Sequence, residues 1–335
     1  MPCDEAFFNS TRGTYGLTAK TTLSSGPFYL YNWTSGGLFL RREPSGTRID
    51  SLRLVQNTNN ADQSAIELIN SEKCSAAVDD TGSTTSLSSI SYSDTTWSLL
   101  FNCNTIFSST ELRQALAGVA RDAAEVPSTG LFAAADNLIP AGLNVDGMNY
   151  RDTVGEVSPA PVDVKALYLA ARQGMANSDF NKITLMLPAG CGLNEAAETI
   201  NGAWQKELSL FFSIEEVDEE TFRKRLAEGD YTIALAPVSA ESGSVYNTLA
   251  QFTPAGGGLT GYSNALYATQ LEASTHANGS TRCRLLGECE RQLLSDCVVV
   301  PLFSQQKRLL IASGVKNLIF DPFGPVLDLT YATKE

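Results

Sequence analysis

Basic charge is scarce in this sequence. It has 24 lysines and arginines against 37 aspartates and glutamates, a net charge of −13. Phosphate backbones are held by basic surface, so no nucleic-acid partner is expected. Repulsion between like-charged copies points to a monomer, and the acidic excess suits a cationic or zwitterionic ligand. Histidine occurs once, as His276 in a polar stretch. A Ser-His-Asp or Cys-His enzyme would have to use it, and no Gly-x-Ser-x-Gly turn accompanies it. It reads as a surface histidine, and no catalytic residue is assigned. The seven cysteines (Cys3, Cys74, Cys103, Cys191, Cys283, Cys289 and Cys297) contain no Cys-x-x-Cys spacing. With one histidine this leaves no zinc set, so no metal site is expected. Cys283 and Cys289 either bridge locally or are buried thiols. Ala255-Gly256-Gly257-Gly258-Leu259 lacks the Lys-Ser/Thr of a phosphate loop, and no cofactor is expected. No apolar run approaches the roughly 20 residues of a membrane span. Met1-Pro2-Cys3-Asp4-Glu5 has neither the basic nor the apolar part of a secretory signal.

What is present is apolar material in quantity: 43% of 335 residues, enough for two domains. The organising stretch runs from 180 to 237. Ile183 to Leu187 reads as a buried strand stopped by Pro188. Asn194 then caps a helix carrying Ala197, Ile200, Trp204 and Leu208 on one face. Leu210, Phe212 and Ile214 alternate as a second strand. Asp218 caps a second helix that stops at Gly229, and residues 231–235 form a third strand. Strand, helix, strand, helix, strand with short joins predicts a right-handed parallel α/β layer. Ligands on such sheets sit beyond the carboxyl ends of the strands, which places function after Leu235.

Elsewhere the pattern predicts a hairpin using Phe28, Leu30, Leu38 and Leu40, with Trp33 in the core. Strands follow at 52–55 and 74–78, with a helix over 63–70 between them. The Ser/Thr-rich run 81–93 reads as a linker. A strand over 97–102 leads to a helix over 111–123 capped by Ser109. Residues 127–150 read as loop. A helix over 162–176 turns Leu167 and Ala170 inward, and 239–262 has little regular patterning. Helices at 265–273 and 282–296 precede strands at 298–302 and 308–312.

Four segments carry a family resemblance. Ser25-Gly26-Pro27-Phe28-Tyr29-Leu30 with Trp33 is one, and Asn102 followed by Leu112-Arg113-Gln114-Ala115-Leu116-Ala117 is another. The third is the organising stretch itself, with Trp204-Gln205-Lys206 and Gly229-Asp230-Tyr231. The last joins Val300-Pro301-Leu302-Phe303 to Asp321-Pro322-Phe323-Gly324. In this order they resemble the dipeptide- and oligopeptide-binding proteins of ABC importers. The resemblance implies an α/β, two-lobe periplasmic-binding-protein fold of type 2, with lobe two complete and lobe one partial. Lobe one would span 1–93 and lobe two 94–311, with 312–335 returning to pair with lobe one. It further implies a non-enzymatic protein at the extracellular face of a bacterial membrane or in the periplasm. Such a protein closes on a peptide ligand between its lobes and presents it to membrane permease subunits. The family hairpin lies far into its members' chains. Its early position here leads to the expectation of a C-terminal portion lacking the signal and part of lobe one.

The family's carboxylate for the peptide ammonium lies just after the third strand of the organising unit. Here Pro237-Val238-Ser239-Ala240-Glu241-Ser242 lacks the family's Trp and puts Glu241 in the acidic place. Glu241 is either that partner or a solvated loop acid. Asn102 either bonds ligand backbone or forms a turn. Tyr246 and Tyr262 either line side-chain pockets or simply pack. Two readings from other classes stand beside this one: a hydrolase using paired carboxylates, and a ligand-sensing module on the same fold.

Overall fold

The computed structural model describes residues 4–24, 26–42, 48–55, 64–79, 81–158, 161–240, 243–323 and 327–335. The chain divides into two compact units. Unit one is Met1–Ile90 with Arg308–Asp321 and Pro325–Glu335, and unit two is Ser91–Lys307 with Pro322–Gly324.

In unit one a short helix, α1 (Glu5–Ser10), is capped by Asp4. It precedes an antiparallel sheet of β1 (Tyr29–Thr34), β2 (Gly37–Arg41) and β3 (Ser51–Leu54). The pairs Leu30↔Leu40↔Leu52 and Trp33↔Leu38↔Leu54 set six apolar side chains on one face. That face is incompletely covered by the described residues. The four leucines at 30, 38, 40 and 52 are half-buried, while Leu54 and Trp33 are exposed. Trp33, expected in the core, is 50% exposed on β1, an edge strand of this sheet. Beyond the sheet, α2 (Ala65–Asn70) begins in a reciprocal capping box between Ser64 and Glu67 and buries Ala65 and Ile69. β4 (Ala76–Asp79) pairs antiparallel with the strand Lys307–Ile311, whose other neighbour is β5 (Ser88–Tyr92). The run 81–93, expected as a linker, therefore contains a strand. Its Ser-rich sequence is poor in apolar signal, and the ladder partner comes from more than 200 residues away. The return segment adds two small ladders, Val315–Lys316 with Thr333–Lys334 and Ile319–Phe320 with Leu327–Asp328.

Unit two is a helix–sheet–helix sandwich. Its strands are β6 (Thr95–Phe101), β7 (Phe132–Ala134), the hairpin β8 (Asn144–Val145) and β9 (Met148–Asn149), β10 (Thr184–Pro188), β11 (Ser213–Val217), β12 (Ile233–Ser239) and β13 (Val299–Gln305). Its helices are α3 (Thr110–Ala123), α4 (Tyr150–Val154), α5 (Val164–Arg172), α6 (Asn177–Phe180), α7 (Asn194–Leu208), α8 (Glu219–Glu228), α9 (Val245–Ala250), α10 (Ala265–Thr275) and α11 (Gly279–Ser295). The main sheet runs β11-β10-β12-β6-β13-β7. β10 is parallel to both β11 and β12, the layer expected from the organising stretch, while β6 runs antiparallel to β12 and β13.

Alternation along the strands feeds two cores. Leu99, Phe101, Leu185, Leu187 and Leu235 meet Leu116 of α3 and Ile200 and Trp204 of α7 on one face. Leu100, Met186, Ala234 and Val299 meet Leu271 and Leu293 from α10 and α11 on the other. Trp204 is wholly buried, as expected, and its indole N–H donates to the Leu116 carbonyl at 2.9 Å. Ser109 caps α3 and Asp218 caps α8, and α8 stops at Gly229 with φ +68°, a conformation glycine adopts without a Cβ penalty.

Several local expectations shift. Asn194 opens α7 rather than capping it. β11 begins at Ser213 because Asn201 takes both the N–H and the C=O of Phe212 (3.0 and 2.7 Å), leaving that residue buried but outside the ladder. Ala170 is exposed and Ala171 is the buried residue of α5, which starts two residues later than its apolar pattern suggests. β7 and α9 occupy stretches expected to be irregular.

A buried carboxylate organises the long segment between α3 and α5. Glu290 of α11 is fully enclosed. It accepts from the Leu138 and Ile139 N–H groups, from the Tyr150 hydroxyl at 2.9 Å and from Arg151 Nη2, which reaches its two oxygens at 2.8 and 3.1 Å. Every lone pair has a donor, which is what allows an ion pair to survive there.

Candidate functional site

The parallel order puts the carboxyl ends of β10, β11, β12 and β13 on one edge of the unit-two sheet. The amino end of β6 joins them through the pairs Ser239↔Thr95 and Ser304↔Thr96. This is the edge at which open α/β sheets bind ligands.

Asp94 stands at its centre, nearly buried. Lys307 approaches both carboxylate oxygens, at 2.8 and 3.1 Å, and Thr95 donates its hydroxyl to Oδ1 at 2.8 Å. The Asp94 carbonyl accepts the Ala240 N–H at 2.8 Å, so the chain leaving β12 is tied to the start of β6. Beside them the Trp97 indole donates to the Gln305 side chain at 3.3 Å and packs edge-on to Phe132. The edge thus offers a charge pair, an indole, amide and hydroxyl groups, and strand-end backbone. That composition suits reversible hydrogen bonding to a polar, extended ligand. The Asp94–Lys307 pair escaped the sequence reading, since the two residues lie over 200 positions apart and neither sits in a motif. The only available signal was a charged residue next to each end of a strongly apolar strand.

Glu241 and Ser242 lie outside the described residues. Ala240 lies at this edge, and its carbonyl accepts the Gly243 N–H at 2.9 Å. Asn102 is at the opposite end of β6 and 3% exposed. Its amide donates to the Gly229 and Tyr231 carbonyls at 2.9 and 2.8 Å, and its Oδ1 accepts the Asn104 N–H at 3.0 Å. The donors tie the end of β6 to the α8–β12 connection, and the Oδ1 bond forms the turn after β6, the turn-forming alternative. Tyr262 is buried in the α10–α11 core, edge-on to Tyr267, and donates its hydroxyl to Asp296 at 2.5 Å. Burial first, and then the Asp296 carboxylate, push its phenol upward. It packs and does not line a pocket. Tyr246 of α9 is half-buried against the same core. Of the residues proposed from sequence, Asn102 and Tyr262 are buried and hydrogen-bonded within unit two, and Tyr246 is half-buried on α9.

His276 is exposed at the end of α10, 3.6 Å from Glu272. Among the described residues no group of three or more His, Cys, Asp or Glu side chains could hold a metal ion. The described cysteines are all free thiols, and burial pushes Cys289 up to about 12. An open cavity of about 620 Å³ lies at the other end of the sheet, before β10 and β11, between Arg172, Phe180 and Phe211. Arg172 there is engaged by Asn177 and stacks over the Phe180 ring at 4.6 Å.

No protein-family profile matches the chain, and no curated protein matches it. Solved structures do. An oligopeptide ABC transporter substrate-binding domain from Bacillus anthracis is similar over 99% of this chain and 69% of its own, at 20% identity and TM-score 0.67. Listeria monocytogenes OppA bound to peptide is similar over 99% and 69%, at 18% identity and TM-score 0.68. The Listeria monocytogenes ABC transporter substrate-binding protein CtaP is similar over 92% and 66%, at 18% identity and TM-score 0.70. The chain has the α/β fold of these substrate-binding proteins, as the four sequence segments implied.

Proposed function

We propose that this chain is the substrate-binding component of an ABC importer, taking up peptides outside the cytoplasmic membrane and handing them to permease subunits. The observation that carries the reading is the likeness of nearly the whole chain to substrate-binding proteins, one of them described as bound to peptide. The carboxyl edge of unit two supplies suitable chemistry: strand-end backbone groups, the Asp94–Lys307 pair, and the segment beyond Ala240. In this reading Glu241 receives the peptide ammonium, and backbone groups hold the rest of the ligand irrespective of its side chains. The protein binds and releases without covalent chemistry. Its acidic charge of −13 favours approach of an ammonium-bearing ligand.

Thermal unfolding with and without a mixed di- to hexapeptide library tests this. A ligand that binds only the folded state stabilises it by about 2.7 kcal/mol at a hundredfold excess over its Kd. The expected result is a saturable rise in midpoint that is lost when the peptides are N-acetylated and in Glu241→Ala. A rise that survives both changes moves the ammonium site away from Glu241. No rise with any peptide length rules out peptides as the ligand.

A further inference from the structure

The hairpin β8–β9 turns through Asp146-Gly147, both with positive φ (+51° and +81°), the backbone of a tight Asp-Gly turn. The turn lies against the start of α11. There Asp146 Oδ2 accepts the backbone N–H of Gly279 at 2.8 Å, and Asp146 Oδ1 is 3.1 Å from Arg282. Gly279 follows Asn278, an exposed residue with extended backbone (φ −132°, ψ 160°) whose side chain makes no capping bond to the helix.

We propose that Asn278-Gly279 is a self-modification site at which Asp146 is the proton acceptor. The Gly279 N–H lies in the peptide plane and already points at a carboxylate. As its proton passes to Asp146, the nitrogen pair perpendicular to that plane attacks Cγ of Asn278. The new N–Cγ bond closes a five-membered imide, the Cγ–Nδ2 bond breaks, and ammonia leaves with the proton. Water then opens the imide at either carbonyl, giving aspartate or isoaspartate at 278. The balance is amide plus water to acid plus ammonia, with no oxidant or cofactor.

Rotation about ψ of Asn278 brings its side chain over the nitrogen without moving the peptide plane that holds the N–H to Asp146. Gly279, at φ +56°, presents no Cβ to obstruct the approach, and a Cβ added there would meet only Met148 Cε, at 3.8 Å. The charged and titratable neighbours of Asp146 are Arg282, which pairs with it, and Cys283, whose thiol is pushed up by burial and then by Asp146. The product places a second carboxylate beside Asp146 at the first turn of α11. It competes for the same Arg282 and N–H groups, so the reaction is a slow, one-way release of the β8–β9 latch.

The whole chain is incubated and digested, and the Asn278 peptide is followed for the gain of a single mass unit and for isoaspartate by enzymatic methyl transfer. An isolated Asn-Gly sequence depends on hydroxide, so the urea-unfolded chain should react about tenfold faster per pH unit. With a carboxylate held on the Gly279 N–H as the base, the folded rate should change far less than tenfold per pH unit between about pH 6 and pH 8. Asp146→Gly, which removes the carboxylate at a positive-φ turn position that glycine suits, should slow the folded rate roughly tenfold or more and restore the hydroxide dependence. Asn278→Gln should abolish the mass gain. The proposal is overturned if the folded chain tracks hydroxide as the unfolded one does. It is equally overturned if Asp146→Gly reacts as fast or faster, or if Asn278 stays intact while the unfolded chain reacts.

Discussion

The two sheets that begin each unit's core are built from the same kind of strand and end in opposite states. β6 is buried at all seven positions, with helices on both faces. The β1–β3 sheet has an equally apolar face, six side chains in register, and none of them is fully buried among the described residues. Strand pairing needs only backbone and alternation. A core needs a second layer, and among the described residues only unit two brings one to each face of its sheet. Two tryptophans make the contrast concrete: Trp204 is wholly enclosed and hydrogen-bonded, whereas Trp33 is half exposed.

Trp204→Ala should be the larger blow, costing about 4 kcal/mol in the urea unfolding of unit two through lost packing, the cavity left behind and an orphaned Leu116 carbonyl. A cost under about 1 kcal/mol would mean that the two-sided core is no better formed than the open face.

Asp79→Asn probes unit one at its best-buried polar contact. Asp79 accepts from Arg308 at 2.5 and 2.9 Å and from the Thr81 hydroxyl at 2.6 Å. Burial raises its carboxyl, but these hydrogen bonds outweigh burial and hold it below the usual range. With Arg308 partly exposed, the loss should be about 2 kcal/mol. Because the folded pKa is the lower one, Asp79's contribution is complete above about pH 4 and fades as the pH falls through the folded value. The Asn variant should therefore lose acid sensitivity as well as stability. An unchanged acid transition would remove Asp79 from the account.

Trp33→Ala should have the smallest effect, under about 1 kcal/mol, since half of the side chain is already in water. A cost near that of Trp204→Ala would show that the β1–β3 face is covered in solution.

The organising stretch was legible because its signals are local. Asp218 and Gly229 bracket α8, and Ala197, Ile200 and Trp204 mark a helix face within one segment. β11 was misplaced by three residues because the group that captured Phe212 is a side chain on a different element, Asn201. β5 was read as linker because its hydrogen-bonding partner is distant in sequence. At the site, the ordering of β10, β11 and β12 put the expectation at the carboxyl edge, where the structure places the Asp94–Lys307 pair. The residues chosen there were less secure, since a single Asn or Tyr has the same local signature whether it faces a ligand or a carbonyl.

Periodicity and caps by themselves determined that this chain makes a parallel α/β layer and where the helices α3 and α8 begin or end, because each depends on neighbours a few residues apart. Tertiary structure alone decided that Asp94 meets Lys307, that Asn102 serves the backbone, that Glu290 gathers the 138–151 segment and that Asp146 reaches Gly279. Each of these is a contact between charged or polar groups that becomes strong only when distant segments remove it from water, and no local pattern encodes that exclusion.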